Sequence, residues 1–241
     1  ISDAFDLVML EKSFLEQNIG RIANKKTYSE KELAKLKDGF ELADIEKKVS
    51  EGAEPLHSNH KLVGCVKAAH QTDKNLTAHI MVENLVVKAS GIIALKNLLH
   101  NNGIAPETVE YVIECSEEAC GDMNQRGGGN FAKAICEVVG TVSATGSDLR
   151  GFCAAPTHAL INAAALVKAG VYKSVAVVAG GATAKLGMNA RDHVNKGLPI
   201  LEDCLGGFAV LITENDGINP VLRTDVVGRH TVGTGSAPQA V

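Results

Sequence analysis

Residues 147–181 read SDLRGFCAAPTHALINAAALVKAGVYKSVAVVAGG, and this stretch decides the fold. The small-residue segment 153–170 predicts a helix that ends at Lys168 and Gly170. The apolar run 174–181 predicts a strand that is buried on both faces. Because alanine or another apolar residue occupies almost every side of the helix, we expect it to be buried all round and to run between two sheets.

Strand and helix patterns alternate on both sides of this stretch. Strands are predicted at 109–115, 207–216 and 220–230, and helices at 79–102 and 129–140, with a strand or a turn at 141–149. The last two strands flank the turn sequence NDGIN, which favours a hairpin. This order predicts an α/β layered fold with helices on both faces of a sheet.

Residues 1–60 form a charged segment with helical patterns, and residues 61–241 carry the layered unit. Ser29 followed by Glu32 has the spacing of a capping box, in which each side chain satisfies the other residue's backbone amide. We therefore predict a charged helical N-terminal segment ahead of the layered unit.

Composition excludes several classes of function. The 241 residues carry a net charge of −4, aromatic residues make up 4% and Trp is absent, which argues against a nucleic-acid-binding surface. No apolar run approaches ~20 residues and the first residues lack a basic region, so we expect neither a membrane span nor a signal peptide. A cytoplasmic location is the corresponding expectation.

The cysteines and histidines do not have the spacing of a metal site. No CxxC pair occurs, and His57, His60 and His70 are scattered through a polar segment, so no metal is expected. No glycine motif of a dinucleotide site is present either, so we expect no cofactor. Free thiols are predicted for the six cysteines, Cys65, Cys115, Cys120, Cys136, Cys153 and Cys204.

Cys153 differs from the other cysteines in its position at the start of a predicted helix. The positive end of a helix dipole favours the thiolate, which is the reactive form of cysteine. Pro156 suits a first helical turn, and small Ala154 leaves room for a substrate. A cysteine among alanines is more often a core residue, so local features leave both readings open.

Two other features carry weaker predictions. QRGGGN at 125–130 precedes a helix, so its amides and Arg126 form a candidate phosphate contact, although a simple helix-entry turn explains the glycines as well. Cys204 adjoins the glycine turn of DCLGG and is a second candidate for the same pocket.

The stretch 79–216 resembles the N-terminal half of the thiolase/ketoacyl-ACP synthase III superfamily. The motifs that carry the resemblance are SDLRGFCAAPTHALINAAALVKAG, SVAVVAGG and DCLGGFAVLITEND. The resemblance implies a thiolase-like layered α-β-α-β-α fold, of which this chain holds mainly the N-terminal half. It also implies that Cys153 is the acyl-accepting nucleophile. The candidate substrate or oxyanion contacts are Ala154, Gly206, Gly207 and Arg126, the last from the local sequence QRGGGN.

More narrowly, GGATAKLGMNARDHVNKGLPILEDCLGGFAVLI resembles the β subunits of component C of glycine/sarcosine/betaine reductase complexes, found in amino-acid-fermenting anaerobes. That resemblance implies an acetyl thioester on Cys153 that passes to phosphate to give acetyl phosphate. It also implies two partners, the second subunit of component C and an acyl-carrying selenoprotein, in a homo- or hetero-oligomer.

The sequence departs from the superfamily pattern in two respects. CAAP replaces the commoner Cys-Ala/Ser-Gly, and the His, Asn or second Cys that assist the nucleophile in the family have no matching motif here. We therefore expect a piece of a longer protein. Two alternatives stay open: a ketoacyl synthase or thiolase that uses coenzyme A or acyl carrier protein as substrate, and a non-catalytic scaffold subunit.

Overall fold

The computed structural model describes residues 7–25, 27–34, 36, 38–116, 130–151, 154–182, 195–197 and 205–228. Two short 3-10 helices lie at Lys74–Leu76 and Pro106–Thr108. The strands and α-helices in these ranges are, in chain order, β1 Val8–Leu10, α1 Lys12–Asn24, α2 Glu30–Leu33, α3 Leu42–Ser50, β2 Glu54–Ser58, β3 Lys61–Val66, α4 Ala78–Asn101, β4 Tyr111–Glu114, α5 Phe131–Val139, β5 Thr145–Asp148, α6 Ala155–Lys168, β6 Ser174–Ala182 and β7 Leu205–Thr213.

A four-stranded sheet with the order β5-β4-β6-β7 forms the centre of the molecule. The first three strands are parallel, whereas β7 pairs antiparallel with β6 along its whole length. The segment 141–149, predicted as a strand or a turn, supplies the edge strand β5. The sheet and its helices confirm the predicted α/β layering.

The two faces of the sheet carry different helices. Ala176 and Val178 of β6 pack with α4 and α5, whereas Val175, Val177 and Ala179 pack with α6. Successive strand residues point to opposite faces, so the apolar run of β6 is buried from both sides, as predicted.

Two sequence predictions in the second half of the chain are wrong. The described part of 220–230 ends at residue 228 and contains no strand, so the predicted hairpin around NDGIN does not form. Val226 is 70% exposed in this segment, since a β-branched sequence without a partner strand has no sheet to join.

Helix α6 is buried along one face only, which corrects the prediction that it is buried all round. Ala155, Ala159 and Ala163 are fully buried against the sheet, whereas Ile161 is 38% exposed on the opposite side. That side borders a groove of about 520 Å³, whose other wall includes residues 222–224. Small residues allow helix and sheet to approach closely, but they do not by themselves specify a second covering layer.

Helix α4 corrects the expectation about apolar length. Among the described residues it is the single helix that is long and apolar enough to cross a membrane, judged by length and composition alone. In the structure it lies across the central sheet, with Leu95 and Leu99 buried in the core that it shares with α5. A core helix of a folded domain has the same composition.

The N-terminal part combines helices with a three-stranded sheet of order β1-β3-β2. The predicted capping box is confirmed, because Ser29 accepts from the backbone N–H of Glu32 and the Glu32 carboxylate accepts from the backbone N–H of Ser29. Glu32 also accepts a 2.6 Å bond from Lys96 on α4, which ties this segment to the layered unit. Strand pairing continues across residue 60, and the division into 1–60 and 61–241 stays a prediction.

Candidate active site

Strands β4, β5 and β6 are parallel and therefore end at one edge of the sheet. Helices α5 and α6 begin at this carboxyl edge, the usual location of ligand sites in open α/β sheets. Cys153 stands two positions before Ala155, the first residue of α6, and itself lies outside the described residues. The described residues that flank Cys153 in the sequence, Gly151 and Ala154, lie between the end of β5 and the start of α6.

A fully buried carboxylate, Glu114, ends β4 at this edge. One of its oxygens accepts from the backbone N–H of Ser116 at 2.9 Å and from the Ser116 hydroxyl. The other oxygen accepts a 2.5 Å bond from the guanidinium of Arg150. Both oxygens of the buried carboxylate are therefore satisfied, as burial of a charge requires.

Asp148 and Arg150 extend this network to β5 and α5. The Asp148 carboxylate accepts from the first two backbone N–H groups of α5, those of Phe131 and Ala132, at 2.8 Å each. Arg150 donates to the same carboxylate at 3.4 Å, and its guanidinium carbon lies 5.7 Å from the centre of the Phe131 ring. Arg150 therefore links the ends of two parallel strands.

Two serine hydroxyls bind the end of β6. Ser116 accepts from the backbone N–H of Gly180, and Ser90 of α4 accepts from that of Gly181, both at 3.0 Å. A side chain at Gly180 would collide with the backbone of α4, so this strand end sits directly on the helix. These contacts hold the third strand end in register with the other two.

The structure places three of the predicted contact residues at or near this edge. Ala154 is exposed, and its backbone N–H donates to the carbonyl of Gly151 at 3.1 Å. Gly206 and Gly207 pair with the two glycines at the end of β6, and Gly207 lies on the sheet face that packs against α4. Arg126 and Cys204, like Cys153, lie outside the described residues.

The three described cysteines are buried, consistent with structural roles. Burial, followed by the neighbouring Glu114 charge, raises the pKa of the Cys115 thiol to about 12, although Arg150 opposes the shift. Burial likewise raises the pKa of Cys65 and of Cys136, although a hydrogen bond from Thr141 opposes it at Cys136. Thiols with raised pKa values are poor nucleophiles at neutral pH.

Sequence reasoning missed the Glu114–Arg150 pair. The signal was present, because YVIEC places a carboxylate inside an otherwise apolar strand and Arg150 precedes Cys153 by three positions. A charge in a buried strand requires a partner, but the partner's position depends on which strands are neighbours.

Within the described residues, no group of three or more potential metal ligands occurs.

Comparison with known proteins gives a match along the whole chain. The sequence is 66% identical over 242 aligned residues to "Glycine/sarcosine/betaine reductase complex component C subunit beta" of Peptoclostridium acidaminophilum. The alignment covers 100% of this chain and 47% of that protein, so the chain spans about half the length of its curated relative.

A family profile and several solved structures also match. The profile of 3-oxoacyl-[acyl-carrier-protein] synthase III matches residues 147–227. Cerulenin-bound OleA of Xanthomonas campestris is 14% identical, with 55% of this chain and 41% of that chain covered and a TM-score of 0.44. The 3-oxoacyl-[acyl-carrier-protein] synthase III of Aquifex aeolicus is 15% identical, with 62% and 41% covered and a TM-score of 0.39. Residues 147–227 thus match the 3-oxoacyl-[acyl-carrier-protein] synthase III family, and the whole chain is similar to a component C β subunit.

Proposed function

We propose that Cys153 accepts an acetyl group as a thioester and that the protein passes this group to phosphate within a glycine/sarcosine/betaine reductase complex. The observation that carries the proposal is the 66% identity along the whole chain to a component C β subunit. The chain spans 47% of that relative, so we also propose the activity, the substrates and both partners of the whole protein. Those partners are the second subunit of component C and an acyl-carrying selenoprotein.

The position of Cys153 supports nucleophilic chemistry. Cys153 precedes the 14-residue helix α6, whose N-terminus carries a partial positive charge that favours a thiolate. In the proposed step a phosphate oxygen attacks the carbonyl carbon of the acetyl thioester, the C–S bond breaks, and the thiolate leaves. Acetyl phosphate and free Cys153 result, without any change of oxidation state.

A second candidate function is a ketoacyl synthase or thiolase reaction with coenzyme A or acyl carrier protein. It is favoured by the synthase III profile, which spans residues 147–227 and includes Cys153. The chemistry at the cysteine is the same in both cases, so the acceptor of the acyl group decides between them. A scaffold subunit, in contrast, would carry no acyl group at all.

The test is to incubate the full-length protein and its partner subunit with acetyl phosphate labelled in the acetyl group, and to map the label by mass spectrometry. We expect label on Cys153 that is lost in Cys153→Ser, because an unactivated hydroxyl is a poorer nucleophile. Cys136→Ala, at a buried cysteine of α5, serves as the control and should retain the label.

Each contrary outcome points to a different function. Label on another cysteine would assign the nucleophile elsewhere. Label on the partner subunit alone would favour a scaffold role for this chain. Transfer from the labelled enzyme to coenzyme A, without transfer to phosphate, would favour the thiolase reaction.

A further inference from the structure

A charge cluster lies at the carboxyl edge of the central sheet, and the proposed chemistry gives it no role. The cluster consists of Glu114, Asp148 and Arg150, with side-chain exposures of 0%, 10% and 22%. The Nε of Arg150 is buried as well and has no hydrogen-bond partner among the described residues. The guanidinium is therefore held through its two terminal nitrogens.

Stability alone does not explain such a cluster. Replacement of a buried ion pair by apolar residues of similar volume is often neutral or stabilising, because the charges lose their hydration when they are buried. The cluster of two carboxylates and one guanidinium therefore needs another explanation, and its location offers one. Asp148 and Arg150 belong to the segment 148–151, which comes directly before Phe152 and Cys153 in the sequence.

Arg150 is poorly suited to bind a phosphate itself. Its one positive charge is matched by the two negative charges of Glu114 and Asp148, which leaves the cluster at a formal net charge of −1. An incoming anion would have to compete with a carboxylate at 2.5 Å. The cluster is therefore better suited to an internal task.

We propose that Arg150, held by Glu114 and Asp148, is a positioning residue for Cys153. It fixes the segment 148–151 that leads to the nucleophile, and its charge offsets the charges of the two carboxylates. The proposal rests on the proposed function of Cys153. Arg150 precedes Cys153 by three positions, and three residues of chain span at most about 11 Å between the two Cα atoms.

The sign of the electrostatic effect follows from the charges. At about 10 Å and an effective dielectric constant of about 20, one unit of charge shifts a pKa by about one unit. Loss of a carboxylate charge favours the thiolate and lowers the pKa of Cys153, whereas loss of the guanidinium raises it. The other titratable groups described around the cluster are Cys115, directly after β4, and Lys88 of α4, which lies over the Phe131 ring.

Three variants of the full-length protein separate charge from fold. Glu114→Gln keeps the shape of the buried side chain and removes its charge. The double variants Glu114→Gln/Arg150→Met and Glu114→Gln/Arg150→Lys then remove or keep the cation, and neither leaves a buried carboxylate at position 114 without a partner. Glu46→Gln, at an exposed position of α3, is the matched control. Circular dichroism checks that each variant is folded.

The measurement is the pH profile of Cys153 alkylation by iodoacetamide, followed by mass spectrometry. We expect the pKa of Cys153 to fall by about one unit in Glu114→Gln, to rise again by about one unit when Met replaces Arg150, and to stay low when Lys replaces it. The rate of acyl transfer should fall in both double variants, because lysine cannot reproduce the planar two-carboxylate bridge.

Identical pH profiles in the wild type and all three variants would overturn the proposal. An equal loss of Cys153 reactivity in all three variants, whatever charge they carry, would overturn it as well. Such a failure differs from failure of the proposed function. If the positioning proposal alone fails, Cys153 still carries the acetyl label, but its pKa is the same in all variants of the cluster. In the second case the pKa responds to the cluster, but the label appears on another residue.

Discussion

Gly206 and Gly207 are neighbours on β7 that face opposite sides of the central sheet, and this difference makes a sharp prediction about substitution by alanine. We predict that Gly207→Ala destabilises the protein and that Gly206→Ala does not. Both glycines are candidate substrate contacts, so the pair also separates a packing role from a functional one.

The magnitude follows from the space around each glycine. A Cβ atom at Gly207 would lie 2.7 Å from the carbonyl oxygen of Ser90 and 3.1 Å from that of Ala179, whereas a Cβ at Gly206 meets nothing within 4 Å. Overpacking of this kind costs about 1–3 kcal/mol, of which the stiffer unfolded chain returns about 0.4–1 kcal/mol. We therefore expect Gly207→Ala to lose up to about 2.6 kcal/mol of unfolding free energy and Gly206→Ala to gain up to about 1 kcal/mol.

Ser90 cannot easily move to accommodate the new methyl group. Its hydroxyl donates to the carbonyl of Val86 at 2.7 Å and accepts from the backbone N–H of Gly181 at 3.0 Å, which fixes α4 on the strand end. Urea denaturation of the full-length protein, followed by circular dichroism, measures both variants. Equal unfolding free energies for the two variants would refute the assignment of Gly207 to helix packing. Lost acyl transfer in a fully stable Gly206→Ala would instead support a substrate contact there.

Three further predictions concern the buried and the charged groups. Glu114→Ala should lower the unfolding free energy by roughly 3–5 kcal/mol, measured in urea, because it leaves Arg150 without its buried partner; a loss below about 1 kcal/mol would contradict the buried ion pair. Cys115 should stay unmodified by iodoacetamide near neutral pH, because its pKa is raised to about 12, while Cys153 reacts faster; equal rates in the folded protein would contradict an activated Cys153. The Asp216 carboxylate accepts bonds from two backbone amides of its own turn, which lower its pKa from 3.8 to about 2. The turn is therefore stabilised at neutral pH and loses this contribution as pH falls through about 2, and an NMR titration midpoint near 3.8 would exclude these bonds.

Local sequence pattern is sufficient to predict the helices and strands of the central sheet. The apolar positions of α4 recur with the helical period, and Gly103 ends the pattern, so the predicted 79–102 agrees with the observed Ala78–Asn101. β6 is similarly marked by an uninterrupted run of small and β-branched residues. In these segments, local preference and tertiary environment favour the same structure.

Long-range pairing is what the pattern could not supply. Val221 and Val226 have the composition of a strand, yet they are 57% and 70% exposed and pair with no strand among the described residues. The Glu114–Arg150 pair joins residues 36 positions apart, and only the parallel pairing of β4 with β5 brings them together. The three-stranded N-terminal sheet depends in the same way on pairing that no short window contains.

The described backbone amides at the carboxyl edge help to separate two ways in which the fold could assist Cys153. The N–H of Ala154 already donates to the carbonyl of Gly151, and Pro156 has no N–H to offer. An oxyanion contact from Ala154 would therefore require its hydrogen bond to Gly151 to break, and the ion pairs of Arg150, one residue before Gly151, oppose movement of this segment. Stabilisation of a thiolate by the dipole of α6 needs no such opening, because it acts through the aligned peptides of the whole helix. The described geometry thus favours α6 as an aid to thiolate formation over Ala154 as an oxyanion donor.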